Sequence, residues 1–302
     1  MSFPQILEVA IGLIVVYYIL GSFVSLITKL INEAAETRGK SLEKHLFRIA
    51  GDKTADLKNL PQIQALRPVR YKHLWSIFGS VTEQKMVEKI PAATLVDAFF
   101  DISGLTGRPG VDANGLLDTI NQLPESEGKQ AMLNWIKQGV TDINDLRSRA
   151  HAYFSGVLNQ AAATFKANAR SLVIILSILI TILFGTDSIQ LAQGLWNNAE
   201  LRAIAAAQAN AIVQAEGAQA DLSQLIEDLS ALTIKIGWWQ AQNIPQQPSA
   251  MAWVQFFLLK FIGLGVTAAA VSQGSSFWYD LLKKLTTPAS SSGSGESGEA
   301  KG

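Results

Sequence analysis

Residues Leu172–Gly185 read LVIILSILITILFG and contain no charged residue. Arg170 precedes this segment and Asp187 follows it. A helix needs about 20 apolar residues to cross roughly 30 Å of hydrocarbon, and this segment is shorter than that. It can cross the bilayer if the helix continues through Ile189 and Leu191, or if the bilayer thins locally. It separates a region of mixed charge from an Ala- and Gln-rich region with few basic residues. We interpret residues 171–191 as the middle one of three membrane spans.

The composition supports an integral membrane protein. Only 17% of the 302 residues are charged and the mean hydropathy is +0.20, whereas about 25% charged residues is usual for soluble domains. The formal net charge is zero, which gives no signal for a nucleic-acid partner. The chain has no cysteine, so disulfides and thiolate chemistry are excluded. We expect no cofactor.

The first predicted span lies in residues 1–31, where Val9 to Thr28 form an uncharged run of 20 residues. We expect a retained helix rather than a signal peptide, because no Lys or Arg precedes the run and the run is long. Tyr17 and Tyr18 lie in its middle, where their hydroxyl groups favour a protein partner over lipid. Residues 32–170 show helical spacing of apolar residues, as in Leu42, Leu46 and Ile49, and predict a compact helical domain.

The residues after the middle span predict a helical hairpin at 192–252. Helix-forming sequence runs to Gly217, and an amphipathic stripe follows at Leu222, Leu225, Leu229 and Leu232. The third span is predicted within residues 253–285, at about Phe261–Tyr279, and 286–302 is a Ser/Gly-rich tail predicted to be disordered. Residues expected to anchor the chain at the two membrane interfaces are aromatic or basic: Trp238, Trp239, Lys260, Trp278, Tyr279, Lys283 and Lys284.

Small residues in the spans predict close helix packing and self-association. The positions concerned are Gly21, Ser25, Gly263, Gly265, Ala269, Ala270 and Gly274. Gln190, Gln273 and Ser272 are polar positions in or beside the spans, for which hydrogen bonding between helices is the first interpretation. The lining of a pore by Ser272, Gln273 and Ser276 is the alternative.

The distribution of basic residues predicts the orientation. We count 18 Lys and Arg in residues 32–170, but only Arg202 and Lys235 in residues 186–252. Lys283, Lys284 and Lys301 follow the third span. Because basic residues stay on the cytoplasmic side, the helical domain and the C-terminus are predicted inside, with the N-terminus and the hairpin outside. We expect a bacterial inner membrane, or another internal energy-transducing membrane.

No pattern of catalytic residues stands out. Arg38–Ser41 reads RGKS, but the Gly that a phosphate-binding loop needs five residues earlier is Ala34. His45, His73 and His151 are scattered and do not have metal-ligand spacing. The paired carboxylates at Glu125 with Glu127, and at Glu227-Asp228, resemble solvated faces. The sequence therefore predicts that the chain is not an enzyme.

The C-terminal block resembles a family of uncharacterised bacterial three-span membrane proteins. The resemblance rests on GLGVTAAAVSQGSSFWYDLLKKL at Gly263–Leu285, a Gly/Ala-rich helix that ends in an FW[FY]DLL-type motif. IPAATLVDAFFD and TDSIQLAQGLWNNAELR are similar to that family as well, whereas Gln273 and the Ser275-Ser276 pair depart from it. The resemblance implies an architecture and no activity.

The fold class predicted is therefore an all-α integral membrane protein with three transmembrane helices, a cytoplasmic helical domain and an extracytoplasmic hairpin. The function expected is a non-enzymatic membrane scaffold or anchor that forms homo-oligomers in the bilayer and presents its helical domain to a protein partner. The alternative is an oligomeric channel or pore-forming effector. A lipid-acting enzyme ranks third, because it would need a cluster of His, Ser or Asp near the interface.

Overall fold

A computed structural model of the chain describes residues 3–71, 82–106, 113–215 and 249–286. The described part is predominantly helical. The bounds of its α-helices are α1 Phe3–Ala34, α2 Thr37–Ala50, α3 Thr54–Asn59, α4 Pro61–Gln64, α5 Ala92–Ile102, α6 Ala113–Asn121, α7 Glu127–Lys137, α8 Ile143–Phe184, α9 Ser188–Asn197, α10 Ala199–Gln214, α11 Ala250–Val271 and α12 Ser275–Thr286. A 3₁₀ turn lies at Gly51–Lys53, and two three-residue strands, β1 Val69–Tyr71 and β2 Thr82–Gln84, pair antiparallel. The sequence pattern did not predict this strand pair.

Three helices are long and apolar enough to cross a membrane. They are Pro4–Ala34, Ile143–Phe184 and Ala250–Val271. The prediction of three apolar spans is thus confirmed at this level, and the chain is compatible with a multi-pass membrane protein. By compactness the chain divides into two units. The membrane unit comprises Met1–Lys29 with Ser171–Gly302, and the helical unit comprises Leu30–Arg170.

The helical unit has its own apolar core. Leu42, Leu46 and Ile49 of α2 are buried, as the spacing predicted. The rings of Phe99 and Phe154 meet edge to face, with centroids 5.3 Å apart. Such aromatic pairs add about 0.5–1.5 kcal/mol beyond the area that they bury.

Helices α2 and α7 approach closely in this unit. A Cβ atom on Gly128 would lie 2.4 Å from the carbonyl oxygen of Ile49, so only glycine fits there. Arg48 donates two hydrogen bonds of 2.8 Å to the carboxylate of Glu127 across the same pair of helices. These bonds hold the pKa of Glu127 below its ordinary value. The pair therefore contributes stability above the ordinary carboxyl pKa and loses it as the pH falls through the lowered pKa.

The membrane unit is built around α1. Of its most apolar 18-residue window, 56% is buried, compared with 17% for α8 and 28% for α11. Val15, Val16, Ile19 and Leu20 are almost completely buried. By contrast, α8 leaves Ile175, Leu179 and Leu183 exposed, as lipid-facing side chains would be. The first span therefore lies at the centre of this unit.

Two breaks differ from the sequence prediction. Helix α8 ends at Phe184 and Gly185 takes φ +59°, so the predicted continuation through Ile189 and Leu191 is not one helix. Helix α11 ends at Val271, and Gly274 takes φ +86° before α12 begins. A positive φ is strained for residues with a Cβ but open to glycine. The predicted span at Phe261–Tyr279 crosses the second break, so it is not one helix; the apolar helix long enough to span is Ala250–Val271.

The structure also places α9 and α10 differently from a separate hairpin. Leu195, Ala205, Ala209 and Ile212 are buried in the same core as α1 and α12. Their small and branched side chains allow close packing in this core. The predicted second arm, Leu222 to Leu232, lies outside the described residues, as do Trp238 and Trp239.

We expect Gly128→Ala to destabilise the helical unit by about 1–3 kcal/mol, the usual cost of overpacking, because its new Cβ meets backbone. Gly156→Ala is the matched control, since nothing lies within 4 Å of a Cβ there. That change should stabilise the helix by about 0.5–1 kcal/mol. Unfolding midpoints of the full chain in one detergent measure both effects. Equal midpoints for the two variants would contradict the close approach of α2 and α7.

Candidate functional site

The turn between α8 and α9, Gly185 to Ser188, lies buried in the membrane unit rather than at its surface. Thr186, Asp187 and Ser188 are all less than 9% exposed. The Oδ1 atom of Asp187 accepts hydrogen bonds from the backbone N–H groups of Ile189, at 2.8 Å, and Gln190, at 3.3 Å. Asp187 therefore caps α9, a role for which Asp is among the preferred residues.

Lys260 of α11 reaches into this turn. Its Nζ donates to the carbonyl oxygen of Gly185 at 3.2 Å and to Oε1 of Gln190 at 2.9 Å. It lies 3.8 Å from Oδ2 of Asp187, and both charged side chains are only 3% exposed. A buried charge is costly unless an opposite charge and hydrogen bonds compensate it. Here a carboxylate, an amide and a carbonyl surround the ammonium group.

A chain of hydroxyl groups lies beside the ion pair. Thr267 Oγ1 donates to the carbonyl oxygen of Gly263 at 2.9 Å, which uses its one proton. It therefore accepts from the Oγ of Ser188, at 2.8 Å, and from the N–H of Ser188, at 3.0 Å. Ser188 Oγ in turn accepts from the Tyr17 hydroxyl at 2.7 Å. The hydrogen bonds run in one direction, from α1 through α9 to α11, and confirm that Tyr17 has a protein partner.

Gly263 makes the close contact between α9 and α11 possible. A Cβ atom at this position would lie 1.7 Å from Oδ1 of Asp187. Gly263 is a predicted helix-packing residue, and the structure shows that it packs against the Asp187 carboxylate of the same chain. Because Gly263 has no side chain, the backbone of α11 comes close enough for Thr267 and Lys260 to reach the turn.

Two hydroxyl groups beside the turn have no partner. The Oγ1 atoms of Thr181 and Thr186 are buried and make no hydrogen bond within the part of the chain that the structure describes. The side chains of both residues are about 1% exposed. An unpaired buried hydroxyl costs free energy, so among the described residues of the membrane unit the region around the turn combines buried charges with unsatisfied hydroxyl groups.

The other predicted packing residues differ in their surroundings. Gly21 packs within the chain, since a Cβ there would lie 3.2 Å from the backbone nitrogen of Ser275. Gly274 forms the turn before α12. Gly265 and Ala269, in contrast, are exposed on α11, and no atom of the described residues lies within 4 Å of a Cβ on Gly265. Ser25 and Ala270 are partly buried.

The predicted pore-lining residues lie at the break after α11. Ser272 Oγ donates to the carbonyl oxygen of Ala269 at 2.8 Å, and Gln273 Nε2 lies 3.5 Å from the same oxygen. Gln273 and Ser276 are exposed. Because the helix ends at Val271, these three residues do not form a stripe along one transmembrane helix. Gln190, by contrast, makes the hydrogen bond between helices that was its first interpretation.

The predicted interface anchors need one correction. Lys260 does not extend to an interface: its ammonium group is buried with Asp187, because the turn supplies acceptors that lipid lacks. Trp278 donates from Nε1 to the carbonyl oxygen of Ala270 at 2.8 Å, and its ring lies 4.9 Å from that of Tyr17. Tyr279 faces Tyr18, with ring centroids 6.5 Å apart. Lys283 and Lys284 are exposed in the last turn of α12.

The residues considered for catalysis and metal binding are not brought together. Arg38–Ser41 lies within α2, so RGKS is helical and is not a phosphate-binding loop. The Nδ1 atom of His45 lies 2.8 Å from the carbonyl oxygen of Ser41, and His151 is exposed. Glu125 and Glu127 make ion pairs with Lys129 and Arg48. In the described ranges no three His, Asp or Glu side chains group as metal ligands would; His73, Glu227 and Asp228 lie outside those ranges.

Sequence reasoning placed Asp187 and Lys260 at span edges and did not pair them. The sequence did contain a signal for the pair. Each residue is an isolated charge beside an apolar run, the two charges have opposite signs, and the hydrocarbon of a bilayer offers no partner to either of them. Ser188 and Thr267 gave no such signal, because single hydroxyl residues are common in spans.

No family model matches this chain, and no curated protein or solved structure matches it significantly. The chain is therefore described by class: a helical protein with three candidate spans and a buried ion pair. The family resemblance stays a prediction.

We expect Lys260→Met to destabilise the membrane unit by about 3–5 kcal/mol, because it leaves the Asp187 carboxylate buried without its partner charge. The double variant Asp187→Asn/Lys260→Met should recover most of this loss, since Asn caps helices as well as Asp does. Unfolding midpoints in one detergent measure both. A Lys260→Met protein as stable as the unchanged chain would show that the ion pair is not needed.

Proposed function

We propose that this chain is a non-enzymatic membrane anchor and scaffold. Its three spans hold it in a bilayer, and the helical unit is presented to a protein partner. The observation that carries the proposal is that five buried polar side chains of the membrane unit contact one another. These contacts connect α1, α9 and α11, and the residues that make them are Lys260, Asp187, Ser188, Thr267 and Tyr17. Such an arrangement suits a fixed support better than a part that must open.

Self-association of the spans is the second element of the proposal. Gly265 and Ala269 stand one helical turn apart on the exposed face of α11, beside the exposed side chains of Phe261, Ile262 and Val266. Small residues four apart let two helices approach closely, and the larger neighbours fill the space around the contact. The packing residues Gly21 and Gly263 are already used within the chain. The Gly265–Ala269 face is therefore the surface that we assign to a second copy.

The orientation follows from the basic residues. We propose that the helical unit and the C-terminus face the cytoplasm and that the N-terminus lies outside. Lys29, Arg38, Lys166 and Arg170 lie beside the first two spans in the sequence, whereas the segment between α8 and α11 has only Arg202 and Lys235. A bacterial inner membrane, or another energy-transducing internal membrane, is the location that we propose.

An oligomeric conduit is the second candidate. The observation that favours it is the exposure of Gln273, in the turn after α11, and of Ser276, in the first turn of α12; both follow the face assigned to self-association along the chain. Exposed polar residues from several copies, brought together in this way, are what a pore lining requires.

We expect single cysteines at Gly265 and Ala269 to form disulfide-linked dimers when membranes containing the full chain are oxidised, because the proposed contact brings two copies of each residue together. The chain has no native cysteine, so each product is unambiguous. Leu179→Cys is the control, since Leu179 is 56% exposed on α8. Cross-linking at Leu179 equal to that at Gly265, or none at Gly265, would contradict the proposed face.

The conduit is tested by dye and ion efflux from liposomes that contain the purified chain at high density. An anchor leaves the liposomes tight. A conduit lined by Gln273 leaks, and Gln273→Leu should reduce the flux at least several-fold because it removes the polar lining. If the unchanged chain leaks and Gln273→Leu does not, the conduit replaces the anchor as the proposed function.

A further inference from the structure

The helical unit contains a cavity of about 410 Å³. Its walls come from α2, from the segment before α5, and from α8. Part of its lining is apolar, with Leu42, Ile90, Leu158 and Ala161 among the residues. Volumes of roughly 300–1,000 Å³ are typical of sites for small ligands.

Three cations surround the cavity. Arg38 comes from α2, Lys89 from the segment before α5, and Lys166 from α8. The guanidinium carbon of Arg38 lies 5.8 Å from the ring centroid of Phe165, which also lines the cavity. Glu88 is the one carboxylate among the described residues of the lining, and Ser155 and Asn159 add neutral polar groups. These described residues carry a formal charge of +2, from three cations and one carboxylate.

The first turn of α5 adds to this charge. Pro91 and Ala92 line the cavity, and no described side chain caps the helix at Pro91. The first turn also contains no acidic residue. The backbone N–H groups and the positive end of the helix dipole favour an anion at this end. Cations from three elements and a helix terminus thus point to one anionic ligand with an apolar part.

We propose that this cavity binds a glycerophosphate group. Phosphate oxygens match the guanidinium of Arg38, the two ammonium groups and the N–H groups of α5, and the carbon atoms of the ligand match the apolar walls. An anionic glycerophospholipid is one source of this group and soluble glycerol phosphate is the other.

The lipid is the source that the sequence favours. Lys166 precedes the membrane unit by only five residues on α8, and Arg38 follows Lys29 closely along the chain. Basic residues near a span attract anionic headgroups by about 1 kcal/mol each. The inference goes beyond the anchor proposal, because a chain that does not self-associate would still bind through this cavity.

The test measures binding to the full chain in a neutral detergent. Native mass spectrometry counts bound phosphatidylglycerol, with phosphatidylcholine as the neutral lipid and glycerol 3-phosphate as the soluble competitor. The cavity variant is Arg38→Gln/Lys89→Gln/Lys166→Gln. The control variant is Lys44→Gln/Lys137→Gln/Arg149→Gln, which removes the same charge from exposed residues that do not line this cavity.

We expect the cavity variant to lose at least tenfold in affinity for phosphatidylglycerol and the control variant less than twofold. Ala162→Phe keeps every charge but adds a large ring at the wall of the cavity, and it should lose binding to a similar extent. Its unfolding midpoint without lipid shows that the variant is folded. Equal losses in the two charge variants, or full binding by Ala162→Phe, would overturn the site. Displacement of the lipid by equimolar glycerol 3-phosphate would keep the glycerophosphate site and assign the soluble source.

Discussion

The burial of one ammonium group constrains the membrane unit more than any other interaction. Lys260 is the one charged residue of α11, and the hydrocarbon tails of lipids cannot neutralise its charge. The chain meets this constraint with the turn from Gly185 to Ser188, which supplies a carbonyl oxygen and a carboxylate, and with Gln190 just beyond it. Because the carboxylate also caps α9, the start of that helix is fixed by the same group. Gly263 then has to be glycine, since the carboxylate occupies the space of a Cβ.

The position of α1 follows from this arrangement. The hydroxyl chain from Thr267 through Ser188 ends at Tyr17, so the polar turn also fixes the central helix. Nearer the N-terminus of α1, Gln5 Nε2 lies 3.4 Å from the carbonyl oxygen of Trp196, and Glu8 pairs with Arg202 at 2.9 Å. Helix α12 completes the enclosure by returning at Gly274, and Trp278 packs on Tyr17. A helix surrounded in this way carries polar side chains in its middle without exposing them to lipid.

The sequence predicted what depends on local pattern. Three apolar segments and the apolar face of α2 follow from composition and period, and the structure has them. The breaks at Gly185 and Gly274 were not predicted, because glycine in a span also serves as a packing residue and only the backbone φ separates the two roles. The pairing of Lys260 with Asp187 was missed for a related reason. A lysine at a span edge satisfies its charge either by reaching water or by meeting a carboxylate, and the partner lies 73 positions away in the chain.

The two units place their polar side chains differently, and the difference suits the anchor that we propose. In the described part of the membrane unit, the charges of Asp187 and Lys260 are buried together, so the exposed surface of α8 and α11 there is largely apolar and fits lipid or a second copy. In the helical unit, the apolar residues form an internal core and most charges remain at the surface, although Lys129 is buried beside Glu125. Arg38, Lys89 and Lys166 converge on one cavity of this unit. The recognition of an anionic group that we propose is therefore assigned to the unit that keeps most of its charges at the surface. The membrane unit instead uses its two buried charges to fix its helices.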